Sequence, residues 1–331
     1  MKIFISIASY QDPLLLETLC SAYTNARFKD SLVFGVCEQA DQGIDLDSIV
    51  FKDQIKYELL DPVMAKGPCW ARGRIQQYYS DEEFFLQIDS HTIFKANWDH
   101  ILIENYTWLE NTQKDSFVIS GYPREFKPNS DLTSFELDTS SKVTWGIALQ
   151  EDKIFDDGHY SGQRGFPTDL TNPIKGYLIA AGFLFTRGVF VNEIPYDPKF
   201  YFHGEELSLA LRLFTNQWDV IYIPEAPLFH FYTDVNNLPR KLHWDEEDEK
   251  NRIEKWTELD KKSKSRLTDL ILNKLDEPFG LGNHRTIEDF GALVGVDMIQ
   301  KKINNLDLAT KSLSFKEITS GTLPYKEILL K

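Results

Sequence analysis

Apolar residues recur along this chain with two periods, and the switching between them marks out its elements. Residues 3–8 are a short β-branched run of the kind that forms buried strands. Asp12-Pro13 follows as an N-cap with proline at the first helical position. Leu15, Leu16, Leu19, Ala22 and Tyr23 then fall on one face of a helix predicted over residues 14–26. Residues 31–36 are a second strand, so strand, helix and strand in order predict parallel pairing in an α/β sheet. A weaker pair of short elements occupies residues 45–57. Gly67-Pro68 opens a helix over residues 70–79, residues 83–88 form another buried strand, and residues 117–120 a further one. Residues 156–172, with Gly158, Gly162, Gly165 and Pro167, lack periodicity and are predicted to be a long loop. Strand character returns over residues 177–186 around Gly182, helix over 205–215, and strand over 220–223. After Pro239 the composition changes. Residues 245–275 are heavily charged, and Ile253, Trp256, Leu259, Leu267, Leu270 and Ile271 form a loose helical stripe with a solvated opposite face. The expected organisation is a catalytic domain over residues 1–240 and a mainly helical extension over 241–331.

Composition narrows the function. With 51 acidic and 36 basic side chains the net charge is -15, a surface that repels phosphate backbones, so no nucleic-acid partner is expected. The apolar start lacks the cleavage pattern of a signal peptide, and no transmembrane run of about 18 apolar residues occurs. Cys20, Cys37 and Cys69 have no metal-like spacing. Reduced thiols and a cytoplasmic location are the expectation. An acidic enzyme that handles a phosphorylated substrate needs a bound cation or a few aimed basic side chains.

The sharpest chemistry lies in Gln87-Ile88-Asp89-Ser90-His91-Thr92, at the end of an apolar strand. Residues two apart in an extended chain point the same way, so Asp89 and His91 face one point beyond the strand end, where α/β sheets bind ligands. A carboxylate with an imidazole suits Mn²⁺ or Mg²⁺; the plain alternative is a capping Asp beside a surface His. Gly204-Glu205-Glu206 places two carboxylates in a helical first turn, where acidic residues also serve as ordinary caps. Ile223-Pro224 leads to His230, which by itself reads as a packed core residue more readily than as a ligand.

In this order the stretches resemble the GT-A glycosyltransferases, in general terms the polypeptide N-acetylgalactosaminyltransferases, where an Asp-x-His and a later His hold Mn²⁺. More specifically, Ile7-Ala8-Ser9-Tyr10-Gln11-Asp12-Pro13, Gly67-Pro68-Cys69-Trp70-Ala71-Arg72, Leu86-Gln87-Ile88-Asp89-Ser90-His91 and Gly204-Glu205-Glu206 resemble the N-acetylglucosaminyltransferases that modify hydroxyproline on a cytosolic ubiquitin-ligase adaptor. The likeness runs through residues 1–245, with Arg285-Thr286 and Gly295-Val296-Asp297 as matches in the tail. It implies a Rossmann-like α/β GT-A fold, a mixed sheet flanked by helices, and transfer of GlcNAc from a UDP-sugar to a hydroxyl on a protein or glycan acceptor. It further implies metal ligation by Asp89, His91 and His230. Ala8, Ser9 and Tyr10 would line the nucleoside pocket. Arg72 would approach donor sugar or phosphate, and Gly182 would allow close approach to sugar or acceptor. A paired Arg and a strand bulge are the structural alternatives for those two. Glu205 or Glu206 would be the general base of an inverting enzyme or would hold hydroxyls in a retaining one, and the resemblance points to retention. Trp145, Tyr122 and Tyr160 are candidate stacking residues. A binding protein of the same fold without turnover, or a metallohydrolase, are the competing classes. The first has no use for the whole residue set, and the second wants more protein ligands.

Overall fold

The computed structural model describes all residues except 133, 140–144, 157–158, 161, 168–171, 233–240, 311–315 and 318–331; for 156 and 316–317 it gives backbone pairing alone. A mixed nine-stranded sheet forms the centre, in the spatial order Lys316–Glu317, Ile174–Gly176, Trp218–Tyr222, Ser116–Ser120, Phe183–Arg187, Phe84–Asp89, Ile3–Tyr10, Leu32–Gln39 and Ile55–Leu60. The last four run parallel, as the strand–helix–strand order predicted. Phe183–Arg187 is antiparallel to both its neighbours. Alternation along Ile3–Tyr10 builds two cores. Ile3, Ile5 and Ile7 pack with helices Leu15–Asn25 and Trp98–Glu110 on one face. Phe4 packs on the other, with Pro68–Ile75, Glu205–Thr215, Trp256–Ile271 and Ile287–Val294. A smaller sheet, Thr92–Phe94, Leu228–His230, Arg124–Pro128 and Phe135–Leu137, stands beside the carboxyl end of Phe84–Asp89.

Several expectations change. The first helix begins at Leu15, and Asp12 accepts from Leu14 N at 3.0 Å while its other oxygen turns to the strand tip. Gly67-Pro68 does open a helix, but that helix ends at Ile75 and tightens to a 3₁₀ turn over Gln76–Tyr78. The helix Trp98–Glu110 escaped the sequence reading because it is buried on most sides and shows no clean apolar stripe. The long loop expected over 156–172 contains Gln163–Pro167, paired antiparallel with Trp145–Leu149; Gly158 lies outside the described residues. Gly165 belongs to that strand, where a Cβ would meet the Tyr122 ring at 3.0 Å, so glycine marks close packing there. Over 177–186 the strand is confined to Phe183–Arg187.

Pro239, where the composition changes, is also outside the described residues. Beyond it Leu267, Leu270, Ile271, Phe290 and Val294 share the core of the sheet. Arg285 donates to Asp219 at 2.9 Å and to Asp115 at 2.7 Å, fastening the tail to the strand Trp218–Tyr222 and to the residue before Ser116–Ser120. The charged helix Trp256–Ile271 buries Leu259, Ser263, Leu267, Leu270 and Ile271 and leaves its other faces to solvent. Cys20, Cys37 and Cys69 form no disulfide. Among the described residues no helix is long and apolar enough to cross a membrane.

Candidate active site

Ala8 sits opposite Asp89 in the parallel pair of Ile3–Tyr10 and Phe84–Asp89, so both strands deliver their carboxyl ends to one place. The strand stops at Asp89. Ser90 and His91 form a turn, so His91 arrives by a bend rather than by the two-residue alternation of an extended strand. After the turn, Thr92–Phe94 pairs antiparallel with Leu228–His230, with Thr92 opposite His230, and Phe231 N donates to His91 O at 3.1 Å. This small sheet is what carries a residue so distant in sequence to the strand tip. His230 Nε2 lies 3.1 Å from Asp89 Oδ2, and His91 Nε2 lies 3.9 Å from the same oxygen. One ligand atom from each of the three falls within 4.8 Å of the others.

A second layer orients this trio. Asp12 Oδ2 is 2.7 Å from His91 Nδ1 and accepts from Ser90 Oγ at 2.8 Å. A carboxylate on Nδ1 fixes the proton there and turns Nε2 toward Asp89, the outer-partner arrangement of metal-binding histidines. Two imidazoles and one carboxylate suit a borderline divalent ion and leave positions for substrate oxygens. On the other side, buried Arg72 donates from Nη2 to Asp89 Oδ1 at 2.7 Å. Its Nη1 meets Glu205 Oε1 and, at 3.2 Å, the Tyr196 hydroxyl. Burial raises the Asp89 carboxyl, but the His230 hydrogen bond and the charges of Arg72, His91 and His230 outweigh it and hold the group well below the usual carboxylate range. Burial raises Glu205, with Arg72 opposing.

Gly182 explains how closely the next segment approaches. A Cβ there would stand 2.7 Å from Asp89 Oδ2 and 3.4 Å from His230 Cδ2. Neighbouring Ala181 N donates to Glu206 Oε1 at 2.9 Å, and Gln163 Nε2 meets Glu206 Oε2, so both carboxylate oxygens have partners. Burial pushes the Glu206 carboxyl up to about 8, with Glu205 and Asp89 adding to the rise. The helix behind these two acids starts after Gly204 in a left-handed turn, φ 86°, that glycine permits.

Two cavities meet at the trio. One of about 440 Å³ is bounded by Ala8, Ser9, Tyr10, Asp12 and His91; the other, of about 260 Å³, by Gly182, Glu205, Glu206 and Tyr122. Arg72, Asp89, His230, Phe202 and Tyr232 border both. The ten residues expected to meet metal, donor or acceptor, the stacking candidates aside, thus lie around one double cavity. Tyr160 borders a smaller hollow behind Glu206, and Trp145 borders neither of the two cavities.

The segment after 240 contributes what sequence reasoning missed. The Tyr10 hydroxyl donates to Asp248 at 2.9 Å and accepts from Arg252 Nη2 at 2.5 Å, while Gln11 donates to Asp248 at 2.7 Å. His243 packs on Tyr10, ring centroids 4.9 Å apart, and its pKa falls to about 3 through burial and the Arg252 charge, so the ring is neutral. Gln163, Tyr196, Phe202, His243 and Asp248 carried no signal in the sequence. Asp12 did, as a cap, and also serves His91.

A family model, glycosyltransferase (GlcNAc), matches residues 40–300. No curated protein sequence matches. Among solved structures the chain is similar to GalNAc-T7 with UDP, GalNAc and Mn²⁺, at 13% identity and a TM-score of 0.56, over 73% of this chain and 45% of that one. It also matches the S. aureus TarS fragment 1–349 in complex with UDP-GlcNAc, at 13% identity and a TM-score of 0.45, over 83% and 72% of the two chains. A third match is the mannosyltransferase PcManGT from Pyrobaculum calidifontis in complex with GDP-Man and Mn²⁺, at 12% and 0.45, over 70% and 57%. This chain spans under half of GalNAc-T7, and at such identity that likeness is one of fold. The family model covers most of the chain, including Arg72, Asp89, His91, Gly182, Glu205, Glu206 and His230. The chain therefore belongs to the GlcNAc glycosyltransferase family and has the GT-A fold.

Proposed function

We propose that this glycosyltransferase moves GlcNAc from UDP-GlcNAc to a hydroxyl of a protein or glycan acceptor, with retention, using a divalent ion such as Mn²⁺ held by Asp89, His91 and His230. One observation carries the reading: the trio stands where two cavities join, the place a diphosphate occupies between a nucleoside and a sugar. When bound, such an ion supplies positive charge that offsets the diphosphate. Asp12 keeps His91 in the ligating tautomer, and Arg72 engages one Asp89 oxygen while the other faces the histidines. Ala8, Ser9 and Tyr10 border the nucleoside side, where Asp248 and Arg252 hold the Tyr10 ring in place. Gly182 lets the donor sugar come against the backbone. Retention is supported by the state of the two acids. Glu205 is tied to Arg72, and Glu206, raised to about 8, is protonated at neutral pH and suits a hydroxyl-holding role better than that of a base. The family model supports GlcNAc as the sugar. The absence of a membrane-crossing helix among the described residues and the reduced cysteines support a cytoplasmic setting. The test is UDP release from a panel of UDP-sugars with Mn²⁺. Release is expected with UDP-GlcNAc and is expected to vanish in Asp89→Ala and on chelation. UDP binding of equal strength with and without metal refutes the site. Tight metal-dependent binding with no release from any sugar donor leaves a binding protein instead.

A further inference from the structure

Aromatic side chains are 13% of this chain, and among the described residues only Phe28, Phe202 and Trp244 are exposed. Two of those three stand together. The rings of Phe202 and Trp244 lie 5.3 Å apart, edge to face at 79°, and the residues are 44% and 43% exposed. Both stand on the rim of the nucleoside-side cavity, and Phe202 also borders the Gly182–Glu206 cavity and the hollow behind Glu206. Leaving two large rings in water forgoes burial that the fold secures for every other described aromatic but Phe28. Their neighbours fix them where they are. Tyr201 N donates to Ser263 Oγ at 2.9 Å, Ser263 Oγ donates to His203 O, and Gly204 takes its left-handed turn one residue later, so the backbone on both sides of Phe202 is fastened. Trp244 follows His243, which sits 2.7 Å from the Tyr201 hydroxyl, and Leu242 N donates to Asp245 at 2.8 Å.

We propose that Phe202 and Trp244 form the acceptor platform, stacking a pyranose ring of a glycan so that one of its hydroxyls enters the Gly182–Glu206 cavity. This rests on the transferase reading above and names the acceptor class for that same site. An edge-to-face pair makes a corner with one flat face and one wall, a shape that fits the C–H face of a sugar. Glu206, which borders the Gly182–Glu206 cavity with Phe202, and Gln163, which borders with Phe202 the hollow behind it, are partners of the kind that sugar hydroxyls use. A net charge of -15, with Asp89 and Glu205 gathered at the site, disfavours an anionic acceptor.

The experiment uses the full chain with Mn²⁺ and the UDP-sugar from which it releases UDP. Acceptors are methyl α- and β-glycosides of glucose, galactose and N-acetylglucosamine, with a Ser/Thr peptide as the competing class. A glycoside is expected to be glycosylated. Trp244→Ala and Phe202→Ala each raise its KM by about tenfold, the loss of one stacked ring, and lower the ratio of transfer to donor hydrolysis in step. Trp244→Phe recovers most of that KM. The melting temperature and the far-ultraviolet circular dichroism spectrum qualify each variant as folded, and Trp244→Leu replaces alanine where it does not fold. Unchanged glycoside KM in both alanine variants, or a peptide accepted where every glycoside fails, overturns the platform. Should the wild-type chain neither bind UDP nor release it from any donor, the transferase reading itself has failed and the platform goes with it.

Discussion

Adding one methyl group at Gly182 tests the geometry at its tightest point. The Cβ of Gly182→Ala would stand 2.7 Å from Asp89 Oδ2, roughly 0.8 Å inside the optimal separation of about 3.5 Å. Asp89 has little room to yield, because Arg72 holds one oxygen at 2.7 Å and His230 the other at 3.1 Å. Either the carboxylate turns and gives up His230, or the backbone at 182 moves and pulls Ala181 N from Glu206. Overpacking of this kind costs about 1–3 kcal/mol, and a hydrogen bond to a charged group is worth a similar amount, about 1.5–3 kcal/mol. A fall of a few degrees in Tm is expected. The larger effect should be on ion binding, since displacing a ligand does at least the damage of losing an outer partner, about 10–100-fold in affinity. Calorimetric Mn²⁺ titration and a thermal melt of the two proteins measure both. Wild-type Mn²⁺ affinity in Gly182→Ala refutes the claim that residue 182 packs against an oxygen that holds the proposed ion.

Three further outcomes are expected. Asp12→Asn removes the carboxylate behind His91, so Mn²⁺ affinity should fall about 10–100-fold with little change in Tm; unchanged affinity removes its orienting role. Arg72→Met leaves Asp89 and Glu205 facing each other without their cation, a loss of about 3–5 kcal/mol that urea unfolding would register and that wild-type stability would disprove. Glu206 supplies the pH dependence. Its folded pKa of about 8 stands above the ordinary 4.5, so between those values the unfolded chain releases a proton that the folded chain keeps. Its contribution to stability is therefore full below about pH 4.5 and lost as pH rises toward 8. Glu206→Gln should flatten that part of a urea-midpoint profile, and an identical slope in the variant would show that the carboxyl is not raised.

Much of the site was readable because its residues sit at element ends that local pattern predicts. The apolar run before Asp89, the Gly204 turn before Glu205 and Glu206, and the strand ending at Tyr10 each announce a boundary, and a boundary at the carboxyl edge of an α/β sheet is where ligands bind. The way His91 reaches the site was not readable, since strand alternation and a two-residue turn give the same spacing. Arg72 shows a different limit. Its sequence gives a helical arginine, while its burial between two carboxylates depends on the helices Pro68–Ile75 and Glu205–Thr215 packing on one face of the sheet. Gln163 fell within a stretch whose glycines suggested a loop. Of those glycines, Gly165 instead admits the Tyr122 ring at close range and Gly162 stands against Lys153 and Gln150, a fact of tertiary packing.

Sequence by itself determined the α/β class, the parallel strands around Ile3–Tyr10, the helix at Glu205–Thr215 and the resemblance that pointed to Asp89, His91 and His230 as candidate metal ligands. These follow from short-range periodicity and from motifs only a few residues long. Tertiary structure decided that His230 completes the trio, that Asp12 serves His91, that Asp248 and Arg252 hold Tyr10, and that Phe202 and Trp244 share one rim. Each of those joins residues from separate elements. Pairing across such distances is fixed by strand register and by which faces of the sheet the helices cover, and neither is written in any local stretch of the chain.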